Sequence, residues 1–335
     1  MRKYLFLSLA AIVAVSLVSC EKEVDDRESD ELLRLQAYMS IHYPNVEPTE
    51  SGLYYIIENE GEGASPAEGD YLLFDYTGQN LDDYVFETTI QNTAYLHDLF
   101  SSKTHYTPKY DEYKSETASM IKGLEEGFSY LKEGGVARFI MPSSLAYGGR
   151  RYKELYPYSS IIFDIELKKV VSDPEAYEQQ LIEEYIAENY PELAIEDILI
   201  DGIYFLETST IEGEDEEDLP EPIEEDDTVE LDYTGSFLDG WVFDTSIIEV
   251  AQENEIYESG RDYLPIDVTV GGTGYIEGFS LALQNSTTLS TIKVIIPSQF
   301  AYGVDGSSTI QPYTPLIFEI TIHSKTTPDD DGSIE

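Results

Sequence analysis

The sequence predicts an α+β protein of two like domains. Each is a curved antiparallel β-sheet wrapped on one short helix, and a helical linker joins the two. Three observations predict this. Phrases recur in order: "FIMPSSLAYG" (139–148) and "VIIPSQFAYG" (294–303) set Tyr147 and Tyr302 155 residues apart, too long for a solenoid repeat and about the length of a domain. The recurring segments alternate apolar and polar residues, which is the period of half-buried antiparallel strands. Within each copy a single short apolar stripe falls at helical spacing.

The first twenty residues stand apart from this pattern. "MRKYLFLSLAAIVAVSLVSC" places Arg2 and Lys3 before an apolar run from Tyr4 to Val18, a secretory signal too short for a membrane span. Its end, Leu17-Val18-Ser19-Cys20, resembles the lipobox of bacterial lipoproteins, which implies cleavage after residue 19 and lipid on Cys20. The acidic run Glu21 to Asp26 resembles the export tag of Bacteroidota-type surface lipoproteins; a plain flexible tether reads equally well. Such an anchor would hold the protein on a membrane outside the cytoplasm, in the cell envelope, since each buried methylene contributes about 0.8 kcal/mol.

The elements then follow in order. Residues 20–48 are a tether and a preface helix, "SDELLRLQAYMSIHYP" (29–44). The first domain spans 49–171, with strands in "SGLYYIIENEGEG" (51–63), "YLLFDYTG" (71–78) and "SIIFDIELKKV" (160–170). Ile161, Phe163, Ile165 and Leu167 share one face of the last of these. Leu124, Phe128 and Leu131 mark its helix, stopped by Gly134-Gly135. Residues 88–115 read as an insertion peculiar to this copy, with His97 and His105 as loop residues rather than metal ligands.

Residues 172–198 form the linker helix. Ser172 and Glu175 offer a capping box with Pro174 in the first turn, and Leu181, Ile182, Tyr185 and Ile186 form a stripe that either faces solvent or docks on a neighbour. The second domain spans 199–325. Its strands lie in "DGIYFLETSTIEG" (201–213), "VELDYTG" (229–235) and "PLIFEITIHSK" (315–325), and Phe279 and Leu283 mark its helix. Residues 326–335 are an acidic tail. Between the second domain's first two strands lies the acidic loop "EGEDEEDLPEPIEEDD" (212–227), which lacks EF-hand spacing and reads as solvated rather than as a calcium site.

Composition excludes several functions. The net charge of −48 becomes −50 once residues 1–19 and their two bases are removed, a surface that repels nucleic acid and anionic lipid. With one cysteine there is no internal disulfide and no Cys-His nucleophile, and neither a G-x-S-x-G elbow nor a phosphate loop is present. "GGTGYIEG" (271–278) lacks the Lys-Ser/Thr of such a loop, so its glycines read as a tight turn. No metal and no cofactor is expected.

The recurring words carry a family resemblance. "DYTGSFLDGWVFDTS" (232–246), "VGGTGYIEGF" (270–279), "IIPSQFAYG" (295–303) and "PLIFEI" (315–320) resemble the successive signatures of FK506-binding-protein-type peptidyl-prolyl isomerases (FKBPs). The first copy repeats them as "DYTGQNLDDYVFETT" (75–89), "MIKGLEEGF" (120–128), "FIMPSSLAYG" and "SIIFDIEL" (160–167). The resemblance covers 49–170 and 199–324, about three quarters of the chain.

What it implies is an apolar proline pocket in each domain. In the second, Tyr233, Phe243, Asp244, Ile266, Tyr275, Ile276, Phe279, Tyr302, Ile310 and Phe318 would line it. The Ile276 N–H and the Tyr302 hydroxyl would donate to peptide carbonyls, and Asp244 would orient the tyrosine network and sit near the twisting amide. In the first, Tyr76, Phe86, Glu87, Met120, Ile121, Leu124, Tyr147, Leu155 and Phe163 take those places. Departures stand out: the family's floor tryptophan is Phe279 and Leu124, the latter implying a looser floor. Its aspartate is Asp244 but Glu87 in the first copy, where no equivalent of Ile266 is evident. The implied activity is isomerisation of X-Pro bonds in exported proteins, with the second domain the better catalyst. The alternative is a non-catalytic proline-peptide-binding or chaperone module of an envelope assembly.

Overall fold

The computed structural model describes residues 26–114, 120–211 and 219–328, so the signal segment, Cys20 and the centre of the acidic loop lie outside the described residues. The first copy runs α1 (Arg27–His42), β1 (Tyr54–Asn59), β2 (Tyr71–Asn80), β3 (Val85–Thr88), α2 (Gln91–Leu96), β4 (Lys109–Glu112), α3 (Lys122–Phe128), β5 (Val136–Met141) and β6 (Ile161–Val171). The second runs α4 (Pro174–Asn189), α5 (Ile195–Ile198), β7 (Leu199–Ile200), β8 (Ile203–Thr210), β9 (Thr228–Ser236), β10 (Val242–Thr245), α6 (Ile248–Glu253), β11 (Ile266–Thr269), α7 (Glu277–Gln284), β12 (Ser290–Ile296) and β13 (Leu316–Thr326).

The strands form one antiparallel sheet per copy. The orders are β1-β5-β6-β2-β3 with β4 beside β2, and β10-β9-β13-β12-β8-β7 with β11 beside β9. In each copy the longest strand carries the same one-residue bulge, at Lys168 in β6 and His323 in β13. Each bulged residue turns its side chain onto the aspartate of the repeated "DYTG", Lys168 to Asp75 at 3.3 Å and His323 to Asp232 at 3.0 Å.

The inner face of each sheet builds the core around the short helix. Leu72, Phe74, Phe139, Phe163 and Leu167 pack on Leu124 and Phe128 of α3, and Leu231, Val294, Ile296, Phe318 and Ile320 pack on Phe279 and Leu283 of α7. The outer face departs from the half-buried expectation. Ile140 and Ile162 are fully buried beneath Leu35 and Met39 of α1, and Ile295 and Ile317 are covered by Ile182 and Ile186 of α4. The reason lies in runs such as Ile161-Ile162-Phe163 and Leu316-Ile317-Phe318, which are apolar on both faces and need cover on both. So α4 is more than a link; like α1 it is the outer layer of the domain it precedes.

Four local expectations change. The cap of α4 is Asp173, which accepts from the Ala176 N–H at 3.0 Å, rather than the Ser172–Glu175 box; with Pro174 at the first position, Asp173 is the residue in register. The α3 stripe outlasts its helix, which ends at Phe128, while Leu131 is buried in the turn beyond. Each domain holds a further short helix, α2 and α6. And residues 88–115 are not peculiar to the first copy. The segments after β3 and β10 match turn for turn: both pass through a left-handed residue, Asp98 and Glu255, and both pin a tyrosine hydroxyl, Ser101 N–H to Tyr106 at 3.1 Å and Glu258 N–H to Tyr263 at 3.0 Å. They lead into β4 and β11, which pair with β2 and β9 in the same register, so Lys109 occupies the place of Ile266.

Candidate functional site

In the second domain the expected aromatic residues converge. Phe243 from β10, Phe318 from β13, Phe279 from α7 and Tyr233 from β9 form a chain of edge-to-face and tilted rings. Centroids are 4.7 Å apart for Phe279–Phe318, 5.7 Å for Phe243–Phe318 and 5.9 Å for Tyr233–Phe279. Gly235 makes this packing possible. A Cβ there would stand 2.6 Å from Phe243 and 2.8 Å from Phe318, and Gly78 is confined in the same way by Phe86 and Phe163. Ile310 is buried against the cluster, with Ile266 and Ile276 at its edge. Tyr275 and Tyr302 stand at the rim, 43% and 40% exposed.

The polar side of this cluster is a three-membered network. The Tyr233 hydroxyl donates to Asp244 Oδ2 at 2.6 Å, while Arg261 reaches Asp244 Oδ1 at 2.5 Å and the Tyr233 hydroxyl at 3.3 Å. Burial and the neighbouring carboxylate push the Tyr233 phenol well above its ordinary pKa, so it stays a neutral donor. Arg261 neutralises Asp244, and the mouth does not present a bare carboxylate. Ile276 sits extended just ahead of α7, and its N–H makes no hydrogen bond among the described residues. The Tyr302 hydroxyl likewise has no side-chain partner among them.

The first domain gathers the equivalent residues but arranges them differently. Phe163 contacts both Phe86 and Tyr76, with Met120, Leu124 and Leu155 buried beside them and Ile121 at the edge. The smaller Leu124 leaves no open mouth, because Tyr152 stacks on Tyr147 with ring centroids 3.8 Å apart. Glu87 takes up both hydroxyls, Tyr152 at 2.9 Å and Tyr147 at 3.3 Å, and Lys153 closes the set at 2.5 Å. Burial first, then Glu87, raises both phenols, Tyr152 to about 12. The corresponding loop residues in the second domain are Ser307 and Ser308.

Arg261, Tyr152 and Lys153 escaped the sequence reading. Arg261 lies 17 residues beyond its partner, and its counterpart in the first copy is Thr104, so the repeat itself hides it. The signal for Tyr152-Lys153 was their replacement by two serines within otherwise parallel loops. No group of three or more possible metal ligands occurs among the described residues, and no helix among them is long and apolar enough to cross a membrane.

Two sheets of this topology, each with an aromatic bowl and a rim tyrosine, define a tandem of one domain type. The FKBP-type peptidyl-prolyl cis-trans isomerase family model matches residues 62–168 and 220–323, and the chain belongs to that family. Among relatives, it is 33% identical over 126 residues to the probable FKBP-type peptidyl-prolyl cis-trans isomerase FkpA of Neisseria meningitidis, covering 37% of this chain and 40% of the relative. It is 42% identical over 96 residues to the short-type peptidyl-prolyl cis-trans isomerase of Methanocaldococcus jannaschii, covering 29% and 60%. The chain thus spans less than two thirds of the length of either. Among solved structures, the three FKBP domains of wheat FKBP73 align with a TM-score of 0.30 at 19% identity, covering 84% of this chain and 99% of that one.

Proposed function

We propose that this protein isomerises X-Pro bonds and that the second domain does so. The observation that carries the assignment is the contrast at the two rims. Tyr302 stands exposed with an uncommitted hydroxyl above an apolar aromatic floor, whereas Tyr147 is stacked under Tyr152 and bonded to Glu87.

The chemistry suits that floor. Rotation about an X-Pro bond meets a barrier of about 20 kcal/mol and takes roughly tens to hundreds of seconds unaided. The planar amide is the more polar state, since resonance puts charge on nitrogen and oxygen. The twisted transition state has lost it, so an apolar site disfavours the twisted state less than water does. Phe243, Phe279, Ile310 and Phe318 supply that surface and grip the proline ring. The Ile276 N–H and Tyr302 hydroxyl hold the flanking carbonyls, and Asp244, fixed by Arg261 and Tyr233, borders the twisting amide. The substrates are proline-containing segments of exported polypeptides. The first domain, closed at its mouth, is the non-catalytic partner.

The test uses the full chain and a short X-Pro peptide. Tyr302→Phe lowers kcat/KM about tenfold, the effect of one lost hydrogen bond of about 1.4 kcal/mol, and Tyr147→Phe leaves it within twofold. Equal loss from both, or loss only from Tyr147→Phe, would reverse the assignment.

We further propose that Cys20 carries lipid and tethers the protein outside the cytoplasm. The support is the sequence leading to that single cysteine. Mass spectrometry of the mature N-terminus decides it: an unmodified Cys20, or an uncleaved leader, would refute the tether.

A further inference from the structure

The outer helices do more than cover the sheets. α1 and α4 each carry one buried carboxylate, Glu31 and Glu178, 5% and 6% exposed. Both are aimed at the same point of their domain. Glu178 accepts from the Ser298 N–H at 2.5 Å and from its hydroxyl at 2.6 Å, and Glu31 accepts from the Ser143 N–H and hydroxyl at 2.6 Å each. Ser298 and Ser143 open the short 3-10 turns Ser298–Phe300 and Ser143–Leu145, which lead into the rim tyrosines.

The link from the serine to the tyrosine is direct. The Ser298 carbonyl accepts from the N–H groups of Ala301 and Gly303, both at 2.8 Å, so one atom holds the residues on either side of Tyr302. The Ser143 carbonyl holds Ala146 and Gly148 around Tyr147 in the same way, at 2.9 and 2.8 Å. Ala301 and Ala146 share an unusual backbone, with φ,ψ of −124°, −106° and −130°, −111°. Phe300 and Ala301 pack the turn against the core, and Glu178 adds hydrogen bonds at its first residue. On the α4 side a cavity of about 370 Å³ lies between Glu178 and Gln179 on one hand and Gly303, Val304 and Tyr313 on the other. Glu178 and Ser298 both line that cavity, and the carboxylate bonds the serine directly. An apolar residue would cover the sheet without the desolvation cost of a buried carboxylate. Yet both copies keep the glutamate and its Pro-Ser partner, while the helices around them differ, with Leu32-Leu33 against Gln179-Gln180.

We infer that Glu178 is a positioning residue for the proposed isomerase site: from the outer layer, α4 fixes the turn that aims the Tyr302 hydroxyl. The inference rests on the activity assigned above, so its test includes an arm that does not.

In the full chain, Glu178→Ala lowers kcat/KM for an X-Pro peptide about tenfold, with most of the change in kcat. In a Tyr302→Phe background the same substitution costs less than twofold, because the group it positions is gone. Glu178→Gln restores activity to within about threefold of the parent, since its amide oxygen still accepts from the Ser298 N–H and its amide donates to the hydroxyl. Amide exchange at Ala301 and Gly303 speeds up at least tenfold in Glu178→Ala, while amides of β12 are unchanged. If the alanine variant does not fold, Ser298→Ala, which removes one arm of the clamp, carries the test with a two- to threefold loss and faster exchange at Gly303. A folded Glu178→Ala protein with undiminished kcat/KM, or with the same fold-loss in both backgrounds, would overturn the positioning role. A parent chain with no isomerase activity would sink the assignment of function instead. The exchange arm then decides alone whether the clamp exists, and unchanged exchange at Ala301 and Gly303 would remove it.

Discussion

The difference between the two domains comes down to three side chains at each mouth. In the second, Asp244 is held by Arg261 from the segment before β11; in the first, Thr104 replaces that arginine and Lys153 supplies the cation from the opposite loop. Moving the cation brings Tyr152 with it, over Tyr147. If that latch is what closes the site, removing it opens it. The double change Tyr152→Ala, Lys153→Ala is expected to give measurable binding of a proline peptide at the first site. Residues of the first site would shift in a titration followed by nuclear magnetic resonance. No shift at Phe86 or Phe163 would mean the first site is closed for another reason. At this scale the sequence was informative about the aromatic set, because the same words occur twice. It was mute about Arg261, which exists in one copy only and lies 17 residues from its partner, and it marked Tyr152 only by the serine in its place in the second copy.

At the scale of elements, the sheets were legible and the layers outside them were not. Alternation along β9 showed which face holds Val229 and Leu231, but Ile162, Ile295 and Ile317 also had to be buried, and only α1 and α4 could do it. A linker helix and an outer-layer helix present the same stripe in sequence; the sheet's second apolar face distinguishes them. The segments 88–115 and 247–265 were mismatched for a related reason. Few of their residues are identical, and the correspondence lies in backbone turns, which sequence identity does not report. If α4 is integral to the second domain, truncating its stripe destabilises that domain and not the first. Ile182→Ala is expected to cost about 2–5 kcal/mol, the usual range for a fully buried isoleucine. Once the contact at His105 is removed so that the two domains unfold separately, the urea midpoint of β12 and β13 signals would fall with that of β5 and β6 unmoved. A change under 0.5 kcal/mol would return α4 to the status of a tether.

The whole molecule is two strongly acidic domains that nonetheless touch, and the contact falls on a few residues. The segment before β4 lies against the second domain. Lys103 pairs with Glu258 at 2.7 Å, but both are exposed and such a pair contributes little. Gln311 accepts from the Tyr110 N–H at 2.6 Å and donates to the Pro108 carbonyl at 3.1 Å. The centre is His105, stacked on Phe237 and Trp241 at 4.7 and 5.0 Å, with Nε2 2.7 Å from Asp239. Phe237 in turn touches Phe243, so this contact backs the wall of the second domain's site. The His105 hydrogen bond holds the Asp239 carboxyl below its ordinary range. A carboxylate whose folded pKa is lowered contributes stability that is present above its unfolded value, about 3.9, and lost as pH falls through the folded one. Domain coupling should therefore be intact at neutral pH and weaken below about pH 4. His105→Ala should abolish that acid dependence and separate one urea transition into two at pH 7. Kinetically, the same change should loosen the Phe237–Phe243 wall and raise KM for an X-Pro peptide several-fold with kcat held. If His105→Ala leaves a single transition and an unchanged KM, the domains are coupled through Gln311 and the tyrosines around Tyr110, and the first domain's reach toward the second site ends at its surface.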